Sequence, residues 1–299
     1  MLEQFAVGEL QGFSAITAGI ENSNYIVRST GGEYVLTLFE HHSADEVREF
    51  VRLARHLGQK NLCVPSPVVD EAGEWLHGLK SRPAILCRRF PGAHPEVLTD
   101  GHCQAVGEAL ARFHLASADL ENRRCDERGF SWWVNIAPEL QHDLNSEDQA
   151  LLHDEIDWQT RQRGDWQALP HGWIHADLFH DNALFEGDRL TAILDLYNAC
   201  DGAWLYDLAI VANDWCVDKQ GVGLDALKVQ ALMDGYRSVR NVSDDEWSAW
   251  NMVLRGAALR FWLSRLLAER LAQQRGQTLP DYKQPSEYRD RLRWHRKTH

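Results

Sequence analysis

No stretch of about 18 consecutive apolar residues occurs in the chain, so nothing in it reads as a membrane span. Cysteine is sparse and scattered: the six, at 63, 87, 103, 125, 200 and 216, include no Cys-x-x-Cys pair. That argues against a zinc ribbon or a disulfide framework and fits reduced thiols in a cytoplasmic protein. Positive charge is also short, 31 Lys and Arg against 44 Asp and Glu for a formal charge of −13, a balance that speaks against a nucleic-acid partner. The opening residues, Met1 to Val7, lack the basic and apolar regions of a signal peptide. Histidine is plentiful, yet there is no His-Glu-x-x-His. Pro170 disrupts the single helix face that His171, His175 and His180 would need as zinc ligands. Internal repeats and low-complexity segments are missing too. At 299 residues the chain is long enough for two modest lobes or one large domain.

What is present converges on His175-Ala176-Asp177-Leu178-Phe179-His180-Asp181-Asn182 and on Asp195, thirteen residues beyond Asn182. Asp177 and Asn182 are five apart. A kinase catalytic loop uses that offset for the Asp that accepts the acceptor hydroxyl's proton and the Asn that holds magnesium. Between Asn182 and Asp195, the apolar runs Ala183-Leu184-Phe185 and Leu190 to Leu194 flank the polar turn Glu186-Gly187-Asp188-Arg189. A hairpin turning about Asp188-Arg189 sets Asn182 opposite Asp195. Directly opposed side chains of an antiparallel ladder lie roughly 4.5 to 5.5 Å apart at Cβ, close enough to share one cation.

His-Ala-Asp-Leu-x-x-x-Asn, followed by Ile193-Leu194-Asp195-Leu196-Tyr197, resembles the signature of the aminoglycoside phosphotransferase and choline kinase group, relatives of the protein kinases. Within that group Gly19 to Tyr25, Tyr34 to Glu40 and Ala258-Leu259-Arg260-Phe261 resemble the bacterial homoserine kinases of this fold. The resemblance runs in order across nearly the whole chain. It implies an α+β, two-lobed, protein-kinase-like fold: a small N-lobe with an antiparallel sheet and a helix, and a larger, mainly helical C-lobe.

Taken in order, residues 1–88 read as the nucleotide-binding lobe. Phe13 to Thr17, Tyr25 to Arg28 and Tyr34 to Phe39 read as strands around the turn Thr30-Gly31-Gly32. Gly19 to Asn24 falls where a kinase covers its phosphates. It has a single Gly, so backbone amides and the Asn22, Ser23 and Asn24 side chains are the candidates to face phosphate oxygens. Thr37 stands where most relatives carry the third-strand Lys, which leaves Glu46 and Glu49 of the following helix, about 44–58, without that partner; Arg28 is one candidate substitute. Pro65-Ser66-Pro67 starts a strand at Val68-Val69, and Ala84 to Cys87 is the lobe's last strand. Residues 89–92 read as a hinge, with backbone groups from Cys87 to Arg89 at the adenine edge.

Residues 93–299 read as the catalytic and acceptor-binding lobe. A helical apolar stripe runs from Ala105 to Ala116, with His114 on it as a hydrogen-bonded core histidine. Residues 119–135 read as an irregular polar loop ending in Ser131-Trp132-Trp133, and helices are expected at about 147–163, 224–239 and 244–270. The resemblance gives His175 and Asp207 a bracing role around the catalytic loop. Asp201 is either a contact for a substrate ammonium or a turn cap before Gly202. Of Arg255, Arg260 and Arg265, Arg260 is the candidate carboxylate clamp, with a buried structural ion pair as its rival. The terminal basic run from Arg291 to Lys297 reads as a solvated tail.

The resemblance implies ATP- and Mg2+-dependent phosphorylation of the side-chain hydroxyl of L-homoserine, a small amino-acid substrate, on the way to threonine. A kinase for choline, ethanolamine, a sugar or an aminoglycoside stands beside it as an alternative. So does a nucleotide-binding module without catalysis, suggested by Thr37 and the sparse glycine loop.

Overall fold

The computed structural model of the chain describes residues 4–16 and 22–298, so Gly19, Ile20 and Glu21 of the expected phosphate loop lie outside the described residues. In chain order come strands β1 (Leu10–Ile16), β2 (Asn22–Ser29) and β3 (Gly32–Phe39), helix α1 (Ala44–Gln59), and strands β4 (His77–Leu79) and β5 (Arg82–Arg88). Helices α2 (Asp100–Ser117), α3 (Phe130–Leu140), α4 (Ser146–Arg161) and α5 (Arg163–Ala168) follow. Strands β6 (His171–Ile174), β7 (Ala183–Glu186), β8 (Arg189–Ile193) and β9 (Cys200–Ala203) precede helices α6 (Trp204–Trp215), α7 (Ala226–Arg237), α8 (Asp244–Ser248), α9 (Trp250–Gln274) and α10 (Pro285–Lys297). By contacts the chain forms two compact units, one of residues up to Pro95 with Asp181–Asn198, the other of Glu96–His180 with residues from Ala199 onward.

The first unit is built on an antiparallel sheet of order β1-β2-β3-β5-β4. Helix α1 opens with a capping box, in which Ser43 Oγ accepts the Glu46 amide and the Glu46 carboxylate accepts the Ser43 N–H. Glu46 is therefore a cap residue. The helix buries Val47, Phe50, Val51, Ala54 and Leu57 at helical spacing. Val47 and Val51 join Phe39, Ile85 and Cys87 in one cluster, each large side chain contributing about 1.5–3 kcal/mol by leaving water. Two details differ from the sequence reading. Val68-Val69 forms no strand among the described residues: the Val68 amide donates to Leu86 O beside an isolated Pro67–Cys87 bridge, and the sheet edge beyond β5 is the three-residue β4.

The β7–β8 hairpin belongs to this unit because the 91–94 segment runs alongside it. Phe185 and Ala93 exchange backbone hydrogen bonds, and Thr191 Oγ1 donates to Pro91 O at 2.6 Å. Gly92 (φ +101°) makes the approach possible, since a Cβ there would lie 2.5 Å from Phe185 O. Beyond the hairpin, Tyr197 packs edge-on against Phe39 and Phe50.

In the second unit α2 packs on α7. Glycines allow the close approach: a Cβ on Gly107 would meet Leu232 O at 2.2 Å, and one on Gly235 would meet Gln104 O at 2.0 Å. Helix α6 is apolar nearly all round and packs on α9, as befits a core helix. Three expectations are corrected here. The residues Ser131-Trp132-Trp133 are helical, in α3, with Trp133 buried and its indole N–H on Arg128 O. The helix expected at 244–270 breaks at Ala249 into α8 and α9. The basic terminal run is not solvated: it forms α10, which buries Tyr288, Arg291, Leu292 and His295, with Arg291 donating to Asn213 O and His295 bonded to Asn213 Oδ1.

Candidate active site

The stretch from His175 to Asn182 enters from β6, which pairs with β9 through Trp173–Asp201 and Ile174–Cys200. It then makes a sharp bend: Ala176 takes φ +65°, the left-handed region, which costs a non-glycine residue of the order of 1 kcal/mol or more. What holds the bend is Asp207, fully buried at the start of α6. Its Oδ2 accepts the His175 amide at 2.7 Å and its Oδ1 accepts the Ala176 amide at 2.9 Å. His114 Nε2 donates to Asp207 Oδ2 at 3.0 Å, while His114 Nδ1 lies 2.7 Å from the Tyr236 hydroxyl. The phenol donating to Nδ1 leaves the ring proton on Nε2, aimed at Asp207.

Burial alone would raise the Asp207 carboxyl, but the bond from His114 and the His175 amide hold it below its ordinary range. His114 is pushed down by burial, against the pull of Asp207, and is neutral. Both directions describe one arrangement, an ionised carboxylate satisfied by three N–H groups in a dry core. His114 is the core histidine the sequence suggests. The His175 ring, also buried, accepts the Asp177 amide on Nδ1 at 3.3 Å, so the residue on either side of Ala176 is tied down. His180, at the end of the stretch, is fixed by Asp214, which accepts both its amide, at 2.7 Å, and its Nδ1–H, at 2.8 Å.

Asp177 emerges from this frame with a quarter of its side chain exposed, and Arg260 of α9 lies beside it, Nη1 3.7 Å from Oδ1. Arg260 is 6% exposed. The neighbouring arginines of α9 are committed elsewhere. Arg255 is locked to buried Glu155 by two hydrogen bonds and lies over Trp158, and Arg265 pairs with Glu287. Asp201 sits in β9 as a strand residue rather than a turn cap. Its amide bonds Arg124 O, and its carboxylate, near half exposed, takes Arg123 at 2.9 Å. In the loop before α3, Asp126 accepts the Arg128 amide on Oδ1 at 2.8 Å, and burial pushes its carboxyl up.

In the first unit Asn182 and Asp195 stand at the open end of the β7–β8 hairpin, out of the expected register by one residue. Ala183 faces Ile193, and Leu194 N donates to Asn182 O at 2.8 Å, so Asn182 is opposite Leu194. The turn falls at Gly187-Asp188, where Gly187 takes φ +59°, and Thr191 is an extra residue on β8 where the register shifts. Asp195 follows just past the ladder with φ +57°, a conformation Asp tolerates. No cluster of three or more His, Cys, Asp or Glu suited to a metal occurs among the described residues. The donor set here is one amide oxygen and one carboxylate, hard ligands that fit a cation whose other ligands are phosphate and water oxygens.

At Thr37 the hydroxyl donates to Asn24 Oδ1 at 2.7 Å across the β2–β3 ladder, fixing the Asn24 carboxamide with its Nδ2 donors outward from that bond. Ser23 donates to Glu40 Oε1 at 2.5 Å, and Glu40 is paired with Arg82. The Asn22 Oδ1 is buried without a hydrogen-bond partner among the described residues. Arg28 does not replace the missing Lys. It pairs with Glu33 at the turn end of the hairpin, four residues from Asn24, roughly 13 Å at 3.3 Å per residue. Arg89 bonds Glu33 through both backbone and side chain, and Cys87 is buried in β5 with its thiol pushed up to about 12 by desolvation.

Residues 12–242 match the model of the phosphotransferase enzyme family. The chain is 41% identical over 265 residues to a homoserine kinase of Methylobacillus flagellatus, covering 89% of this chain and 82% of that protein. It is 39% identical to a homoserine kinase of Polaromonas naphthalenivorans, covering 87% and 83%. Among solved structures it resembles a microcompartment-associated aminopropanol kinase with TM-score 0.73 at 19% identity, covering 99% of this chain and 94% of that one. An amicoumacin kinase in complex with AMP-PNP and Ca2+ superposes with TM-score 0.72 at 17% identity, over 98% and 91%. The α+β kinase-like fold is thus shared at low identity, and the matched sequence spans the catalytic stretch, α6 and α7. The chain belongs to the phosphotransferase enzyme family.

Proposed function

We propose that this phosphotransferase moves the terminal phosphoryl group of ATP to the side-chain hydroxyl of L-homoserine, giving O-phospho-L-homoserine and ADP. The observation that carries the reading is the buried Arg260 guanidinium beside Asp177. A guanidinium presents a planar fork that matches a carboxylate, and next to a hydroxyl-activating Asp it selects an alcohol that also carries a carboxylate. The relatives near 40% identity bear the same name for their activity.

In this reading Asp177 orients the acceptor hydroxyl and takes its proton as the new O–P bond forms and the bond from phosphorus to the ADP oxygen breaks. Asn182 and Asp195 would hold Mg2+, which offsets the charge of the phosphate oxygens. Asn24, fixed by Thr37, would turn its Nδ2 donors toward phosphate, and backbone groups from Cys87 to Arg89 would meet the adenine. The bracing by Asp207, His114 and His175 matters because such transfer depends on positioning.

A coupled assay of ADP release across homoserine, choline, ethanolamine, a hexose and an aminoglycoside tests this directly. Homoserine should give the highest kcat/KM, and Arg260→Ala should raise its KM at least tenfold. Turnover with a quaternary ammonium alcohol and none with homoserine overturns the assignment.

A further inference from the structure

We propose that Tyr288 of α10 is a positioning residue for the reaction: its ring, set against Phe179 and Phe261, holds Asp177 and Arg260 at their working separation. This rests on the reading of Asp177 as the base and Arg260 as the carboxylate clamp, and extends it to α10.

Tyr288 has no exposed surface, and its ring meets two others. It stacks on Phe179, centroids 6.2 Å apart and planes 10° from parallel, and it tilts 34° against Phe261 at 5.2 Å. Phe179 and Phe261 are themselves in contact at 4.6 Å, so the three rings close a triangle. Each phenylalanine is tied to one of the charged groups. The Phe179 amide donates to Asp177 O at 2.8 Å, and the Arg260 guanidinium lies 3.8 Å over the Phe261 ring.

Helical spacing supplies the supports of the third ring. One turn beyond Phe261 on α9, Arg265 covers Tyr288 at 4.5 Å. One turn beyond Tyr288 on α10, Arg291 covers it at 4.9 Å and donates to Asn213 O in α6. Glu287 pairs with both arginines. The Tyr288 hydroxyl is buried with no hydrogen-bond partner among the described residues. A buried hydroxyl without a partner is unfavourable, so it is the ring that gives Tyr288 its place.

An Asp and a buried Arg that meet freely close to about 2.7–2.9 Å in a charge-assisted hydrogen bond. Here Nη1 stands 3.7 Å from Oδ1. A closed pair would turn the guanidinium fork toward the base instead of toward the acceptor's carboxylate. The triangle of rings holds the two groups apart, and removing its third ring lets Phe179 and Phe261 shift and the charges close.

The test compares Tyr288→Leu, Tyr288→Phe and Phe261→Leu with native enzyme by steady-state kinetics, urea denaturation and crystal structures. Tyr288→Leu should lower kcat about tenfold and raise KM for homoserine about tenfold, leaving KM for ATP within about twofold. Its crystal structure should show Arg260 closed onto Asp177 at about 2.9 Å. Tyr288→Phe keeps the ring and should match native enzyme within about twofold in both constants. Phe261→Leu should give the same split as Tyr288→Leu, and it decides the matter if that variant does not fold. Three results overturn the assignment: lower stability with kcat and acceptor KM near native, a separation still at 3.7 Å, or an equal loss in Tyr288→Phe. If native enzyme ignores homoserine, the homoserine reading falls, and Tyr288 is judged on the acceptor the enzyme does use and on the Asp177–Arg260 separation, which needs none.

Discussion

Replacing Asp207 with Ala should damage both stability and turnover, and the size of each effect follows from the bonds the carboxylate makes. Three N–H groups end on it, from His175, Ala176 and His114, at 2.7, 2.9 and 3.0 Å, all from buried residues. Hydrogen bonds to charged groups are worth about 1.5–3 kcal/mol each, and stranding their buried partners typically costs 3–5 kcal/mol in all. The Ala176 bend, at φ +65°, loses the acceptor that holds it, and the following residue is Asp177. A shift of roughly 1 Å in a catalytic group costs about 10²-fold in rate. Urea denaturation of Asp207→Ala should therefore show a loss of about 3–5 kcal/mol, and single-turnover phosphoryl transfer should slow by about 10²-fold with nucleotide affinity little changed. Denaturation within about 0.5 kcal/mol of native, with transfer within threefold, would refute the idea that this carboxylate sets the catalytic bend.

The same cluster predicts a pH dependence of stability. His114 in the folded protein lies below its ordinary 6.5 and Asp207 below its ordinary 3.8, so in both ranges the unfolded chain binds more protons and stability rises with pH. The His114 contribution is complete above about pH 6.5 and is lost as the pH falls below it; that of Asp207 is lost below about 3.8. Equilibrium unfolding from pH 8 to 5 should show the first loss, smaller in His114→Gln, with Asp207, Tyr236, Arg240 and His175 as the groups facing the ring. In the first unit Thr37→Val keeps the shape and removes the hydroxyl that fixes Asn24. The KM for ATP should rise about three- to tenfold, the size of one lost hydrogen bond, with kcat little affected; a Lys-like role for Thr37 would instead appear in kcat.

The candidate residues stand out in the sequence because phosphoryl-transfer chemistry would fix their spacing: Asp177, Asn182 and Asp195 by offset, and Arg260 by its apolar flanks. The hairpin register does not, since Thr191 inserts into β8 for the sake of a contact with Pro91, a hundred residues away. Helix α10 escaped because its buried face uses Arg291 and His295 beside Tyr288 and Leu292, a stripe that apolar periodicity does not register. Helix α3 begins at Gly129 without a side-chain cap, so no start signal marks it. Strand β4 exists only through its partner β5.

Asp177→Asn, assayed with ATP and homoserine, tests the central claim most directly. The account predicts a fall in kcat of at least about 10²-fold, with ATP binding within a few-fold of native, because the variant keeps the shape of the side chain but loses the negative charge beside Arg260 and with it the ability to take the acceptor's proton. Turnover near the native rate, with homoserine or any other phosphorylated acceptor, would contradict it.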